Sequence, residues 1–479
     1  MREECGVFAV YSKPDSDVAA QAFYALYALQ HRGQESCGIA VNDDGVISYH
    51  RDLGLVPDVF DSERLERLGR GNMALGHVQY SKKSLRTRSN AQPLVVRHVK
   101  GPMALAYNGA LTNAHELRQE LEMNGAIFHS TGDIEVIGYV ITRHRLRTSS
   151  IEKAVEAAMN ELGGAYSLVI MSPTKMIAAR DPMGFRPLCI GELDGDIIFA
   201  SETCALDSLG ARFIREVEPG EIVLVNKNGI QSIRTHCRGT SSLCLFEFVY
   251  IARPDSVISG QSVHQARKRA GEILAQEFPA EADVVIGLPD SGLEAALGYA
   301  GASGIPYGVG FIKNRYVGRT FIQPTQSERE RSVRIKINPV SETVRGKRVV
   351  VVDDSIVRGT TTQRAVALLR EAGAKEIHMR ISSPPFVYPC FFGVDADSRQ
   401  SLIMYKNTLA ETCRYIGADS LEFISIEGVR SIAEDASCSF CDACFTGNYP
   451  VPVPDEKPEN KFEKRLSERE PDGQLTIYG

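Results

Sequence analysis

Four consecutive valines, Val349 to Val352, end in two adjacent carboxylates, Asp353 and Asp354, and then in Ser355-Ile356-Val357-Arg358-Gly359-Thr360-Thr361-Thr362. A continuous β-branched run marks a parallel strand buried on both faces, and open α/β sheets bind ligands at the carboxyl ends of such strands. Beyond it Ala365, Val366, Leu368, Leu369 and Ala372 keep helical spacing, so a helix opens near Gly359. Strand, turn and helix N-terminus form a phosphate cradle. Backbone amides and hydroxyls of residues 355–360 can hold a phosphate, while the acid pair can hold magnesium or ribose hydroxyls. The loop has no Walker A lysine, which excludes a P-loop.

A second reactive group stands near the other end of the sequence. Cys5 heads a strand-like run, Gly6 to Tyr11, four residues into the translated chain. If residues 1–4 form a propeptide that is removed, the α-amine of Cys5, with a pKa near 8, serves as the base for its own thiol. Eleven cysteines in a chain without an apolar leader argue for reduced thiols, metal ligands or catalysis rather than a disulfide framework. Cys438, Cys441 and Cys444 are spaced Cys-x-x-Cys-x-x-Cys, whereas Cys244 and Cys390 are isolated. That spacing suits a tetrahedral zinc site as well as an iron-sulfur cluster.

These groups need two kinds of scaffold. From residue 5 to about 235, short β-like runs such as Tyr166 to Met171 alternate with turns and a few helices. One helix is expected over Val18 to Gln30, with Phe23, Leu26, Tyr27 and Leu29 on one side. That half reads as α+β, with helices packed on antiparallel sheets. Beyond about residue 245, strands expected at Asp283–Pro289 and Lys347–Val352 are each followed by a helix, the pattern of a doubly wound α/β domain. From residue 450 the chain is rich in Pro, Glu, Lys and Asp, and residues 450–479 are expected to form a charged, loosely held tail.

The 479 residues exceed one ordinary domain, and 43% hydrophobic residues supply several cores. A net charge of -6 gives no basic footprint for nucleic acid or an acidic membrane surface. No apolar stretch is long enough to span a bilayer, and a cytoplasmic protein is expected.

The Val349 to Thr362 stretch resembles the phosphoribosyl pyrophosphate (PRPP) loop of type I phosphoribosyltransferases. His31-Arg32-Gly33-Gln34-Glu35-Ser36, Asn90-Ala91-Gln92-Pro93-Leu94, Tyr107-Asn108-Gly109 and Arg180-Asp181-Pro182-Met183-Gly184 resemble the class II, N-terminal-nucleophile glutamine amidotransferases. Near its full length the chain is similar to the glutamine PRPP amidotransferase family, in its iron-sulfur, propeptide-bearing form. The resemblance implies an N-terminal-nucleophile hydrolase domain over 5–235, with stacked antiparallel sheets between helices. A type I phosphoribosyltransferase domain with a parallel sheet would occupy 236–449. It further implies that Cys5 attacks the glutamine amide, that Asn108 and Gly109 form the oxyanion hole, and that Asp133 holds the substrate α-amino group. Ser291, within Leu288-Pro289-Asp290-Ser291-Gly292, would join Asp353 and Asp354 around one magnesium ion per subunit. Ser355, Ile356, Val357, Arg358, Gly359 and Thr360 would hold PRPP. Lys313 and Arg315, which begin a basic stretch running through Arg329, Arg331, Arg334 and Lys336, would close over it.

Cys244, Cys390, Cys441 and Cys444 match the ligands of a structural [4Fe-4S] cluster, with Cys438 as the extra thiol and zinc as the rival metal. Phe248 to Ser256 is expected at the domain junction, with a part in coupling. The family also implies feedback inhibition by purine nucleotides and a homotetramer or homodimer. At the glutamine pocket the family pattern Gly-His-Val-Arg-Tyr-Ser-Thr is replaced by Gly76-His77-Val78-Gln79-Tyr80-Ser81-Lys82, and Gly132 replaces a serine before Asp133. Gln79 lacks the charge that grips the substrate carboxylate, and Lys82, Lys83 or Arg86 would have to replace it, so weakened or retuned glutamine use is expected. Two rivals remain: a transferase running on free ammonia, and a non-catalytic PRPP-sensing regulator.

Overall fold

The computed structural model describes residues 5–80, 87–314, 337–394, 396 and 398–454. Lys82, Lys83, Arg86, Arg315 and the rest of the basic stretch to Lys336 lie outside the described residues, as do residues 1–4 and 455–479.

The N-terminal half stacks two antiparallel sheets. One has seven strands in the order Arg212–Glu216, Cys189–Leu193, Asp196–Ala200, Gly6–Ser16, Gly71–Gln79, Ser36–Asp43 and Val46–Leu53. The other has six, in the order Gly229–Ile233, Ile222–Asn226, Met176–Arg180, Gly164–Met171, Gly101–Leu111 and Leu94–His98. Alternation along each strand gives both sheets an apolar inner face. Val7, Ala9 and Leu75 from the first meet Ala104, Ala106, Val169 and Val223 from the second in a dry core. Helices cover both outer faces, with Val18–Ala28 over the seven-stranded sheet and Asp133–Arg145 over the six-stranded one.

The first helix departs from expectation. It ends at Ala28, and Tyr27 is 57% exposed. The buried face is the small-residue stripe Ala19, Ala22, Ala25 and Ala28 with Leu26. Alanines let the helix lie close to the sheet, and the bulky Tyr24 and Tyr27 are turned to the far side.

The second half is built on a parallel sheet in the order Val284–Gly287, Arg348–Asp353, Glu376–Ile381 and Ser420–Phe423. Helices lie on both faces, Val263–Glu277 and Leu293–Ser303 on one, Thr360–Glu371 and Leu409–Ile416 on the other. The first pair of helices touches backbone to backbone. A Cβ on Gly271 would sit 1.8 Å from the Ala295 carbonyl, and one on Gly298 would sit 1.9 Å from the Lys268 carbonyl. That close crossing sets the start of Leu293–Ser303, and the loop before it, beside Asp354. Ala165 and Phe185 of the first half belong to the same core as Val350 and Val352 of the second, so one apolar interior spans the junction. Among the described residues no helix is long and apolar enough to cross a membrane.

Candidate active site

Cys5 leads into the central strand of the seven-stranded sheet, where Gly6 pairs with Val78 and Val7 with His77. Its Sγ lies 3.9 Å from the Tyr80 carbonyl, and its own carbonyl accepts from Arg32 Nε at 3.0 Å. Asn108 and Gly109 lie on the neighbouring sheet, opposite Ser167 and Tyr166. Gly109 has φ +145° and a Cβ there would sit 2.1 Å from the Ala165 carbonyl, so only glycine fits. Buried Asn108 has an Nδ2 that meets no partner among the described residues. An unsatisfied buried amide costs roughly 1–3 kcal/mol, which a ligand oxyanion would recover.

The backbone leading to Asn108 is pinned on both sides. His77 Nε2 donates to the Tyr107 carbonyl at 3.0 Å, and the Tyr107 N–H donates to Gln92 Oε1 at 2.9 Å. Burial holds the His77 pKa down to about 4, so the ring is neutral with its proton on Nε2. The buried Tyr107 hydroxyl is pushed well above its ordinary range, first by burial and then by the negative fields of Asp133 and Cys5. Cys5, Tyr107 and Asp133 therefore share one neighbourhood. Asp133 opens the helix Asp133–Arg145, and its Oδ2 accepts from Leu111 N at 3.0 Å. Gly132 provides no cap, and the Asn90 carboxamide oxygen takes the Thr131 and Gly132 N–H groups at 3.0 and 3.1 Å. Gln79 ends its strand with Oε1 accepting from Ser36 at 3.2 Å.

In the second half the acid pair ends the strand Arg348–Asp353, both carboxylates being buried. Asp354 accepts hydroxyl protons from Ser291 and Ser355, and its N–H donates to Asp353 Oδ1 at 2.9 Å. Burial, then the neighbouring Asp354 charge, pushes the Asp353 carboxyl well above its usual range. Lys313 meets Asp290 in an ion pair beside the site. Ile356 and Val357 turn their side chains into the cores on opposite faces of the sheet, leaving their backbone to the loop. Gly359 takes φ +75° at the head of the helix Thr360–Glu371, while Arg358 and Thr360 are exposed. Oxygen donors from two loops converge here, the donor set that a hard divalent cation prefers.

Cys244, Cys390, Cys441 and Cys444 line one small cavity of about 20 Å³, together with Phe185, Phe392, Val394, Ala443 and Tyr449. Cys244 pairs with Cys441 across a two-residue parallel ladder. Cys438 lines a different cavity, with Cys237, Arg180 and Glu216. Burial pushes the Cys441 thiol up to about 12, and Cys444 is raised well above its ordinary value by burial and by the other three thiols. Among the described residues no three His, Cys, Asp or Glu side chains gather closely enough to hold a metal ion as they stand.

Between these sites lies a group of buried charges whose roles the sequence reading did not foresee. Glu247 accepts from Arg32 Nη1 and Nη2 at 2.9 and 2.8 Å and from Arg186 Nη1 at 3.3 Å. Glu202 joins Arg32 and also accepts from the Ser256 hydroxyl and the Arg253 N–H. All four charged side chains are 0–2% exposed. Arg32 and Arg186 lay within or beside quoted motifs, but only their partners across the junction give them roles. Glu247 stands between Cys244 and the Phe248 to Ser256 segment, and nothing in its local sequence marks it.

A glutamine amidotransferase domain model matches residues 80–208, and a phosphoribosyl transferase domain model matches residues 258–382. The amidophosphoribosyltransferase of Methanocaldococcus jannaschii is 48% identical over 470 residues, covering 95% of this chain and 99% of that protein. The Bacillus subtilis enzyme of the same name is 47% identical over 458 residues, 95% of each chain. A solved structure of the B. subtilis glutamine PRPP amidotransferase, complexed with ADP and GMP, superposes with a TM-score of 0.88 at 46% identity, covering 95% of this chain and 99% of that one. Identity near one half, sustained across both halves and in the same order, means that the chain belongs to the amidophosphoribosyltransferase family.

Proposed function

We propose that the chain is a glutamine-dependent PRPP amidotransferase, converting glutamine, PRPP and water to 5-phospho-β-D-ribosylamine, glutamate and pyrophosphate, the first step of de novo purine (IMP) biosynthesis. The observation that carries the glutamine half is the buried Asn108 Nδ2, without a partner among the described residues, beside the obligate Gly109. The Cys5 sulfur bonds the amide carbon, and Asn108 Nδ2 with the Gly109 N–H holds the developing oxyanion. Collapse releases ammonia, and water then cleaves the thioester to glutamate. Asp133, at its helix N-terminus, holds the substrate α-ammonium.

The residues of the second half fit one magnesium ion, held by Asp353 and Asp354 with Ser291 in support. The bound ion would neutralise pyrophosphate oxygens as that group departs. The loop from Ser355 to Thr360 binds the 5-phosphate and ribose, and Lys313 with Arg315 closes over the pyrophosphate. Ammonia forms the bond to ribose C1 as the bond to pyrophosphate breaks. Ammonia would pass internally between the two halves, away from competing water.

The four thiols that ring one void support a structural [4Fe-4S] cluster, with Cys438 outside it. Removal of residues 1–4, a domain division at 235/236, cytoplasmic location, feedback by purine nucleotides and a homotetramer or homodimer complete the proposal. Gln79 supports a second reading, a transferase that runs mainly on ammonia, because its neutral carboxamide is already engaged by Ser36.

Pyrophosphate release from PRPP, measured with glutamine and with ammonia on anaerobically purified protein whose N-terminus is checked by mass spectrometry, separates these readings. Release with both donors supports the first. Release with ammonia alone supports the second, and none with either overturns both.

A further inference from the structure

Glu247 opens the π-helical turn Glu247–Ile251 at the start of the second half, yet its carboxylate points back into the first. Both carboxylate oxygens receive the Arg32 fork, whose Nη1 also meets Glu202, and the Nε of that guanidinium donates to the Cys5 carbonyl at 3.0 Å. The same carboxylate meets Arg186, whose Nε and Nη2 both donate to the Phe392 carbonyl at 3.1 and 2.7 Å. The next residue, Gly393, lies against the oxyanion strand, where a Cβ would be 3.5 Å from the Gly109 Cα. Phe185 stacks on Phe392 at 4.1 Å between centroids and secures that contact. Through two arginines, therefore, a single carboxylate reaches the main chain of Cys5 on one side and the backbone packed on Gly109 on the other.

We infer that Glu247 is a positioning residue of the glutamine half contributed by the phosphoribosyl half, an inference that rests on the function proposed above. It sets the spacing between the Cys5 sulfur and the oxyanion hole without touching substrate. Glu202 also meets Arg32 and the Phe392 carbonyl also holds Arg186, but Glu247 touches both guanidinium ions and sets one against the other. A neutral isostere keeps the shape and loses the fork-to-carboxylate alignment. Displacement of the nucleophile by a fraction of an ångström lowers the rate of attack more than it lowers glutamine affinity, because Asp133 and the pocket are unchanged. The turn is itself fixed from the PRPP side. Buried Arg267 donates to the Phe248 and Ala252 carbonyls at 2.9 and 2.7 Å, and its Nη1 lies 4.0 Å from Glu294, just after the Ser291 loop.

The test is Glu247→Gln in the full chain, with Glu247→Asp as the conservative rescue. Glutaminase kcat is expected to fall about 10- to 100-fold while KM for glutamine stays within about threefold. Labelling of Cys5 by an electrophilic glutamine analogue should slow by a similar factor, ammonia-dependent pyrophosphate release should persist, and Glu247→Asp should recover part of the loss. Unchanged glutaminase kcat, or equal proportional loss of the glutamine and ammonia activities, overturns the inference. If Glu247→Gln does not fold, Arg186→Lys, which keeps the charge but loses the bridging fork, is read by the same criteria. Absence of ammonia-dependent release from the unmodified chain would instead defeat the transferase reading, while the glutaminase comparison would still decide the role of Glu247.

Discussion

His77 Nε2 donates to the Tyr107 carbonyl at 3.0 Å, tying the two sheets together one residue before Asn108. Burial holds the ring pKa down to about 4 in the folded chain, against about 6.5 when unfolded. The unfolded state therefore takes up a proton first as pH falls. Stability from the neutral ring is whole above pH 6.5 and is lost between 6.5 and 4, up to about 3 kcal/mol. Denaturant midpoints measured over that range should fall with pH, and His77→Gln should flatten the curve.

Asn108→Ala removes the buried amide that awaits an oxyanion. Glutaminase kcat should drop roughly 100- to 1,000-fold with little change in thermal midpoint, since no described partner is lost. Ammonia-dependent pyrophosphate release should continue. Steady-state kinetics with each donor decide the matter, and a normal glutaminase would remove Asn108 from the oxyanion hole.

Asp354→Asn strips charge from the carboxylate that Ser291 and Ser355 both address. PRPP turnover should fall at least about 100-fold with either nitrogen donor, because a carboxamide is a poor magnesium ligand. Cys5 labelling should survive. Magnesium titration of PRPP binding by calorimetry checks the assignment, and unaltered affinity would refute it.

The cysteine assignment separates neighbours in sequence. Cys441→Ser should abolish the bound iron and acid-labile sulfide, whereas Cys438→Ser, which alters a thiol on a different cavity, should leave both near the unmodified level. Zinc in place of iron and sulfide on anaerobic elemental analysis would decide for the rival metal.

Legibility differed between the two halves. The strand Arg348–Asp353 and the helix Thr360–Glu371 stand where the valine run and the helical spacing put them, because local pattern and burial agree there. The helix Val18–Ala28 shows the opposite case. Of the residues expected on one side, Leu26 and Leu29 are buried and Phe23 packs beside them, but Tyr27 is exposed, because tight packing on a sheet selects small residues and the alanine stripe goes inward. Just before Asp133, the Thr131 and Gly132 N–H groups go to the Asn90 carboxamide oxygen, some forty positions away. No local pattern reveals a partner so far along the chain.

By itself the sequence determined the chemistry available to this protein: a thiol near the N-terminus, an acid pair on a glycine-threonine loop, and four separated cysteines. Residue type and short-range spacing are properties of the chain, so these could be read directly. Tertiary structure alone decided which groups meet. It left Asn108 Nδ2 without a described partner and gathered four cysteines from three segments around one void. It also set Glu247 between Arg32 and Arg186, residues 215 and 61 positions away. Such contacts form only where burial makes each unpaired charge costly enough to select its partner, and that selection depends on the whole packed interior.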